Sequence, residues 1–327
     1  MNIQNIRDIL ENHQVGIYFG AIVGAILIAL LLPGTTALLS GINPALALML
    51  FVTFLQVPIA ELGRAFTRVR FFAALFTVNF IILPLLVAGL VQFLPADPMI
   101  RFGVLLVLLA PCIDYVVTFS HLGRADARLL LAATPVLLIL QLLLLPVYLG
   151  LFLGDAAAQI IQIGPFVHAF LWLIAVPLVL AALIQLWAAG SRIGKRMSTA
   201  LGLLPVPATA LVLFLVIASV LPQLGTAVDA VLKVAPIYIA FAVLAPLAGW
   251  FVARIFRLDA PAGRSIAFSA ATRNSLVVLP LAFAVPGAIP VLPAIIVTQT
   301  LVELTSELVY IRLLAKLGGA EPALQVP

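Results

Sequence analysis

The side chains best suited to chemistry in this 327-residue chain fall in three short stretches. In Leu109-Ala110-Pro111-Cys112-Ile113-Asp114-Tyr115 the sole cysteine stands two residues from a carboxylate and directly after a proline, in the middle of an apolar run. Proline removes a backbone donor and disturbs the preceding turn, and at membrane depth the freed carbonyls must find partners in protein or trapped water. The stretch Ala270-Ala271-Thr272-Arg273-Asn274-Ser275, ahead of Pro280, is a polar island in another apolar run. Arginine keeps its proton in proteins, so Arg273 must pair with an acid, meet half-helix carbonyls or face water. In the third stretch Gln299, Glu303 and Glu307 recur every four residues and share one helix face. Desolvation disfavours a charged carboxylate, a setting in which Glu303 could load and release a proton, with Glu307 about 6 Å further along the helix. Each stretch also admits a plainer role: packing for Cys112, an Asp114–Arg273 ion pair that only locks the two breaks together, and a structural acid at Glu303.

The elements that must hold these residues are membrane spans. The chain is 65% hydrophobic and 9% charged, with a mean hydropathy of +1.28, a composition no water-soluble globule approaches. One cysteine makes no internal disulfide and excludes multi-cysteine zinc or iron-sulfur sites. The net charge of +5 does not signal nucleic acid, because the basic residues sit in short clusters between apolar runs. His13, His121 and His168 have no metal-ligand spacing, and no H-E-x-x-H, G-x-S-x-G or phosphate-cradling glycine loop occurs. Neither an enzyme nor a bound cofactor is implied.

Ten spans are predicted, at about 16–32, 42–59, 71–94, 102–121, 129–153, 165–187, 204–221, 234–253, 265–285 and 291–314. Residues 1–14 read as a polar lead-in lying at the membrane surface, and 317–327 as a C-terminal tail. The first run is longer than a signal h-region, and no small-x-small cleavage site follows it. A kink is expected at Pro84 in the third span. Every loop after an even-numbered span carries at least two Lys or Arg, as does the C-terminus, whereas the opposite loops offer Arg101 and Lys233. The positive-inside rule then puts both termini in the cytoplasm.

A repeat emerges from the numbering. Pro44-Ala45-Leu46-Ala47-Leu48-Met49-Leu50-Phe51 in span two matches Pro207-Ala208-Thr209-Ala210-Leu211-Val212-Leu213-Phe214 in span seven except at the third and sixth positions. Asp114-Tyr115-Val116-Val117 similarly overlays Ser275-Leu276-Val277-Val278 in span nine. An offset of five spans makes the halves, 15–153 and 163–316, antiparallel. Inverted repeats with discontinuous helices are a pattern of secondary transporters, whose sites lie where the broken helices meet.

Three motifs resemble the arsenic-resistance (arsenite) permeases of the bile acid:sodium symporter superfamily. They are Pro111-Cys112 in span four, Ala271 to Pro280 in span nine, and Val297-Thr298-Gln299-Thr300-Leu301-Val302-Glu303-Leu304 in span ten. The resemblance implies an all-α polytopic fold of two inverted five-helix repeats, arranged as panel and core domains, with helices four and nine broken and crossing. It implies a plasma-membrane transporter in which the span-four cysteine and span-ten glutamate, here Cys112 and Glu303, are the functional residues. Cys112 would then be the ligand of trivalent arsenic, a soft centre suited to thiolate. Asp114, Arg273, Asn274 and Ser275 complete the expected substrate-binding set, with Glu303 and Glu307 for the proton. Two departures stand out. Ile113-Asp114-Tyr115 is not the commonest arsenite-permease sequence. Where sodium-coupled relatives carry a glutamate and a Gln-Asn pair, this chain has Ser269 and Arg273-Asn274, which favours a coupling proton over sodium. The expected solute is a small anion or neutral oxyacid, with arsenite efflux the first reading and symport of an organic anion the alternative.

Overall fold

The computed structural model describes residues 3–56, 68–113, 115–154, 168 and 171–319. Among these residues the chain is helical, and seven helical stretches are long and apolar enough to cross a bilayer: Asn5–Leu31, Thr35–Leu55, Val69–Val91, Val136–Leu153, Pro205–Gln223, Val228–Ile255 and Val291–Lys316. The difference from ten lies in three expected spans. The fourth is divided into α5 (Pro98–Leu108) and α6 (Val116–Leu122), and the ninth into α12 (Ala260–Ala271) and α13 (Ser275–Phe283). The sixth is represented by α8 (Val176–Gly190) after a π turn at Leu171–Ala175, and its expected start at 165 lies outside the described residues.

The remaining helices are α1 (Ile3–Leu31), α2 (Leu39–Leu55), α3 (Val69–Thr77), α4 (Leu83–Val91), α7 (Ala127–Leu153), α9 (Arg192–Leu201), α10 (Pro205–Val220), α11 (Val228–Ile255) and α14 (Val291–Leu313). The polar N-terminal residues from Ile3 onward continue into the first span as one helix, with Arg7 and Glu11 paired at 2.6 Å on its surface. Helix α1 packs on α10, α10 on α2, and α2 on α8; α11 packs against α12 and α14. Gly249 brings α11 close to α12, since a Cβ there would stand 2.7 Å from that of Ala270 and 2.9 Å from the Ala267 backbone. Small residues permit such approach where lipid gives helices no hydrophobic drive to associate.

Both divided spans start in the same way. Asp97 caps α5 by accepting from the N–H groups of Met99 and Ile100, with Pro98 at the first position; Asp259 caps α12 by accepting from Ala262 N–H, with Pro261 next to the start. A capping carboxylate satisfies orphan donors of the first turn, and proline costs nothing there because its missing N–H would have no partner.

Pro84, where a kink is expected, and Pro246 free carbonyls whose partners are supplied from elsewhere. Pro84 cannot donate to the carbonyl four residues back, and a π turn at Val78–Ile82 absorbs the mismatch. The freed carbonyl of Phe80 accepts the Tyr148 hydroxyl at 2.6 Å. Pro246 leaves the carbonyl of Ala242 in the same position, and the Tyr310 hydroxyl donates to it.

Candidate functional site

Helices α5 and α12 end where the chain unwinds, and the two unwound segments pair with each other. Cys112 N–H donates to the carbonyl of Thr272 at 3.1 Å, and Asn274 N–H to that of Ala110 at 2.8 Å, so Pro111 and Arg273 face each other in an antiparallel bridge. Pro111 occupies a position that needs no donor. Backbone away from water must be satisfied internally, and each break here supplies the groups the other lacks. Cys112, Arg273, Asn274 and Ser275 are all buried at this crossing. Asp114 lies outside the described residues, so the expected Asp114–Arg273 contact is not described.

The guanidinium of Arg273 has no exposed surface. Its Nη2 donates to Asn79 Oδ1 at 2.9 Å, to the Ala270 carbonyl at 2.9 Å and to the Ser269 carbonyl; Nη1 reaches the Leu108 carbonyl at 3.4 Å. The ring of Phe241 lies under it, 5.6 Å from the centroid. Three of these acceptors are the last carbonyls of α5 and α12, which lack intrahelical partners and carry the negative end of the helix dipole. Of the three options open to Arg273, half-helix carbonyls are therefore one that the fold uses. Asn79 is aimed at it by the π turn before Pro84, and its amide also donates to Ser269 Oγ at 3.0 Å.

Helix α14 brings its acidic face to the same point. The Glu303 carboxylate accepts from the Tyr115 hydroxyl at 2.5 Å, from Arg273 N–H at 2.6 Å and from Gln299 Nε2 at 2.5 Å. One turn on, Glu307 Oε1 is 2.6 Å from the Thr272 hydroxyl. Both acids are buried, and the crossing contributes a bond to each. Ser275 Oγ contacts Thr300 Oγ1 at 2.9 Å, and the Asn274 amide reaches Gln141 at 3.4 Å. The fold thus gathers Cys112, Arg273, Asn274, Ser275, Glu303 and Glu307 around one crossing. Reading by residue type assigned no role to Asn79, Tyr115, Thr272 or Gln141. A lone polar residue in an apolar run is the signal for Asn79 and Gln141. Nothing in the spacing indicates that Tyr115 reaches Glu303, because the two are brought together only by the break.

A cavity of about 240 Å³ opens beside the crossing, with Ile113, Tyr115, Thr118, Thr53, Thr209 and Gln14 in its wall. It runs between the break and helices α1, α2 and α10, which lie outside the cluster of acids.

Comparison with curated proteins gave no match. The sequence profile described as Sodium Bile acid symporter family matches residues 43–227, more than half of the chain, a stretch that includes Cys112 and the first break and stops short of Arg273 and Glu303. With its apolar helices and a matched family of transporters, the chain is a multi-pass membrane protein, and it belongs to the sodium bile acid symporter family.

Proposed function

We propose that the protein is a secondary active transporter of the plasma membrane that exports arsenite in exchange for protons, in the manner of the arsenite permease branch that its motifs resemble. The observation that carries this reading is the meeting of the sole thiol and a buried carboxylate at one crossing, through the Cys112–Thr272 and Arg273–Glu303 backbone contacts. Cys112 would ligate trivalent arsenic through one bond, weakly enough for release, where a three-thiol chelate would retain it. Glu303 would couple the proton. Its carboxylate accepts three hydrogen bonds, two of them from the crossing, and bonds to an ionised acceptor are about twice as strong as neutral ones. Protonation would weaken the hold of α14 on the crossing and so link proton binding to movement there.

Proton rather than sodium coupling draws support from Arg273. The oxygens of Leu108, Ser269, Ala270 and Asn79, a set that would suit a hard cation, are already engaged by a tethered one. The reading includes ten spans in two inverted repeats, 15–153 and 163–316, with both termini cytoplasmic. Substrate contact would fall to Cys112, Asp114, Arg273, Asn274 and Ser275, with Glu307 assisting Glu303.

Arsenite uptake into everted vesicles, with and without a proton gradient, tests the reading. Uptake that requires the gradient and Cys112 supports it; uptake indifferent to both removes it. A second reading is symport of an organic anion, favoured by the cavity beside the crossing, whose volume of about 240 Å³ exceeds what arsenous acid needs. Sodium-dependent or proton-dependent accumulation of an organic anion would select it.

A further inference from the structure

The two buried carboxylates of α14 have opposite hydrogen-bond environments. Glu303 meets donors on both oxygens: a phenol, a backbone N–H and a side-chain amide. The backbone N–H of Arg273 can only donate, so Glu303 Oε2 acts as an acceptor there. Glu307 meets no such donor. Among the described residues its Oε2 is buried with no hydrogen-bond partner, and its Oε1 meets the Thr272 hydroxyl. That hydroxyl is also 2.7 Å from the Phe268 carbonyl, one turn back along α12.

Counting hydrogens decides the donor. A threonine hydroxyl carries one hydrogen and a carbonyl carries none. Two oxygens 2.7 Å apart with no hydrogen between them repel, so the threonine hydrogen lies toward Phe268. The hydrogen between Thr272 Oγ1 and Glu307 Oε1 must then come from the glutamate. Charge gives the same answer independently. Among the described residues the buried guanidinium beside these acids is that of Arg273, whose N–H and charge both fall to Glu303. A second ionised carboxylate would be an uncompensated buried charge, which proteins avoid by neutralising the group. Among the described residues, the ionisable side chains facing Glu307 are Glu303 and Tyr310, both on its own helix; from the crossing it meets Thr272, while Arg273 and Tyr115 face Glu303.

We propose that Glu307 is the resident protonated acid of this conformation, donating to Thr272, while Glu303 one turn away is ionised and vacant for a proton. The pair is thereby divided into a loaded site and an open one, four residues apart on one face of α14. This deepens the proton-coupled reading and rests on it for its part in transport, though not for the protonation itself.

Infrared spectroscopy of the purified full chain in lipid nanodiscs at neutral pH tests the assignment. The wild type is expected to show the carbonyl stretch of a protonated carboxylic acid that moves on labelling with carbon-13 glutamate. Glu307→Gln should lose that band and Glu303→Gln should keep it. Thr272→Val leaves both acids in place and should shift the band to higher frequency as its hydrogen bond is lost; it serves if Glu307→Gln does not fold. Absence of the band in the wild type, its loss in Glu303→Gln alone, or no shift in Thr272→Val would overturn the proposal. Because no arsenite is involved, a band assigned to Glu307 in a protein that fails to pump arsenite sinks the proposed function and leaves this inference standing.

Discussion

A guanidinium with no exposed surface must be neutralised by its surroundings, and around Arg273 much of that task falls to the carbonyls of Leu108, Ser269 and Ala270. Arg273→Leu would strand those acceptors together with the ionised Glu303, and breaking one side of a buried charge arrangement costs roughly 3–5 kcal/mol. We expect a sharp fall in the unfolding midpoint in detergent. If Asp114 shares the charge, adding Asp114→Leu should recover part of the loss, and a double variant no better than Arg273→Leu alone would remove Asp114 from the pair. The thiol and the acid should part company in transport. Cys112→Ser keeps the volume with a harder, poorer ligand, so arsenite movement should vanish from a folded protein. Glu303→Gln keeps shape and hydrogen-bonding capacity but cannot titrate, so arsenite should still bind while gradient-driven accumulation fails. Accumulation by Glu303→Gln would pass the coupling role to Glu307. The importance of Arg273 was legible from its type alone, since a cation in an apolar run demands a partner. Its partners were not, because backbone carbonyls are the same in every sequence and only the ends of α5 and α12 make them available.

At the scale of elements, the two tyrosines that reach proline-freed carbonyls make a testable pair of braces. Tyr148→Phe should cost about 1–3 kcal/mol by leaving the half-buried Phe80 carbonyl unsatisfied. Pro84→Ala restores an N–H to the missing helical bond. In that background Tyr148→Phe should be close to neutral by thermal unfolding, and an undiminished cost would refute the pairing. The breaks themselves could be read from Pro111 and from the polar island between Ala270 and Ser275, because proline and polar side chains interrupt an apolar helix by local rules. The π turn at Val78–Ile82 could be read only as a kink at Pro84. Whether a helix with a proline bends, widens or unwinds depends on which neighbour can satisfy the freed carbonyl, and Tyr148 lies 64 residues away in sequence.

For the whole molecule, the sidedness proposed from the basic loops can be tested with single cysteines in a Cys112→Ser background. Lys195 is exposed at the start of α9 and suits this better than its neighbour Gly194, whose added Cβ would stand 2.8 Å from the Trp187 backbone. Lys195→Cys should be labelled only from the cytoplasm and Gln92→Cys, exposed after α4, only from outside intact cells. The reverse pattern would invert the proposed orientation. Composition fixed the membrane class, since 9% charge leaves no aqueous surface large enough for a chain of this length. Tertiary placement of the acidic face against the crossing was not accessible, as periodicity gives a shared face but not what it faces. One property of that crossing reaches further. Cys112 and Thr272, like Asn274 and Ala110, are joined through main-chain atoms, and such bonds are indifferent to the side chains they carry. A side chain such as that of Cys112 can therefore be exchanged by mutation while these main-chain bonds persist. A thiol could give way to a hydroxyl, so a lineage could retool its cargo without first having to reinvent the architecture that holds it.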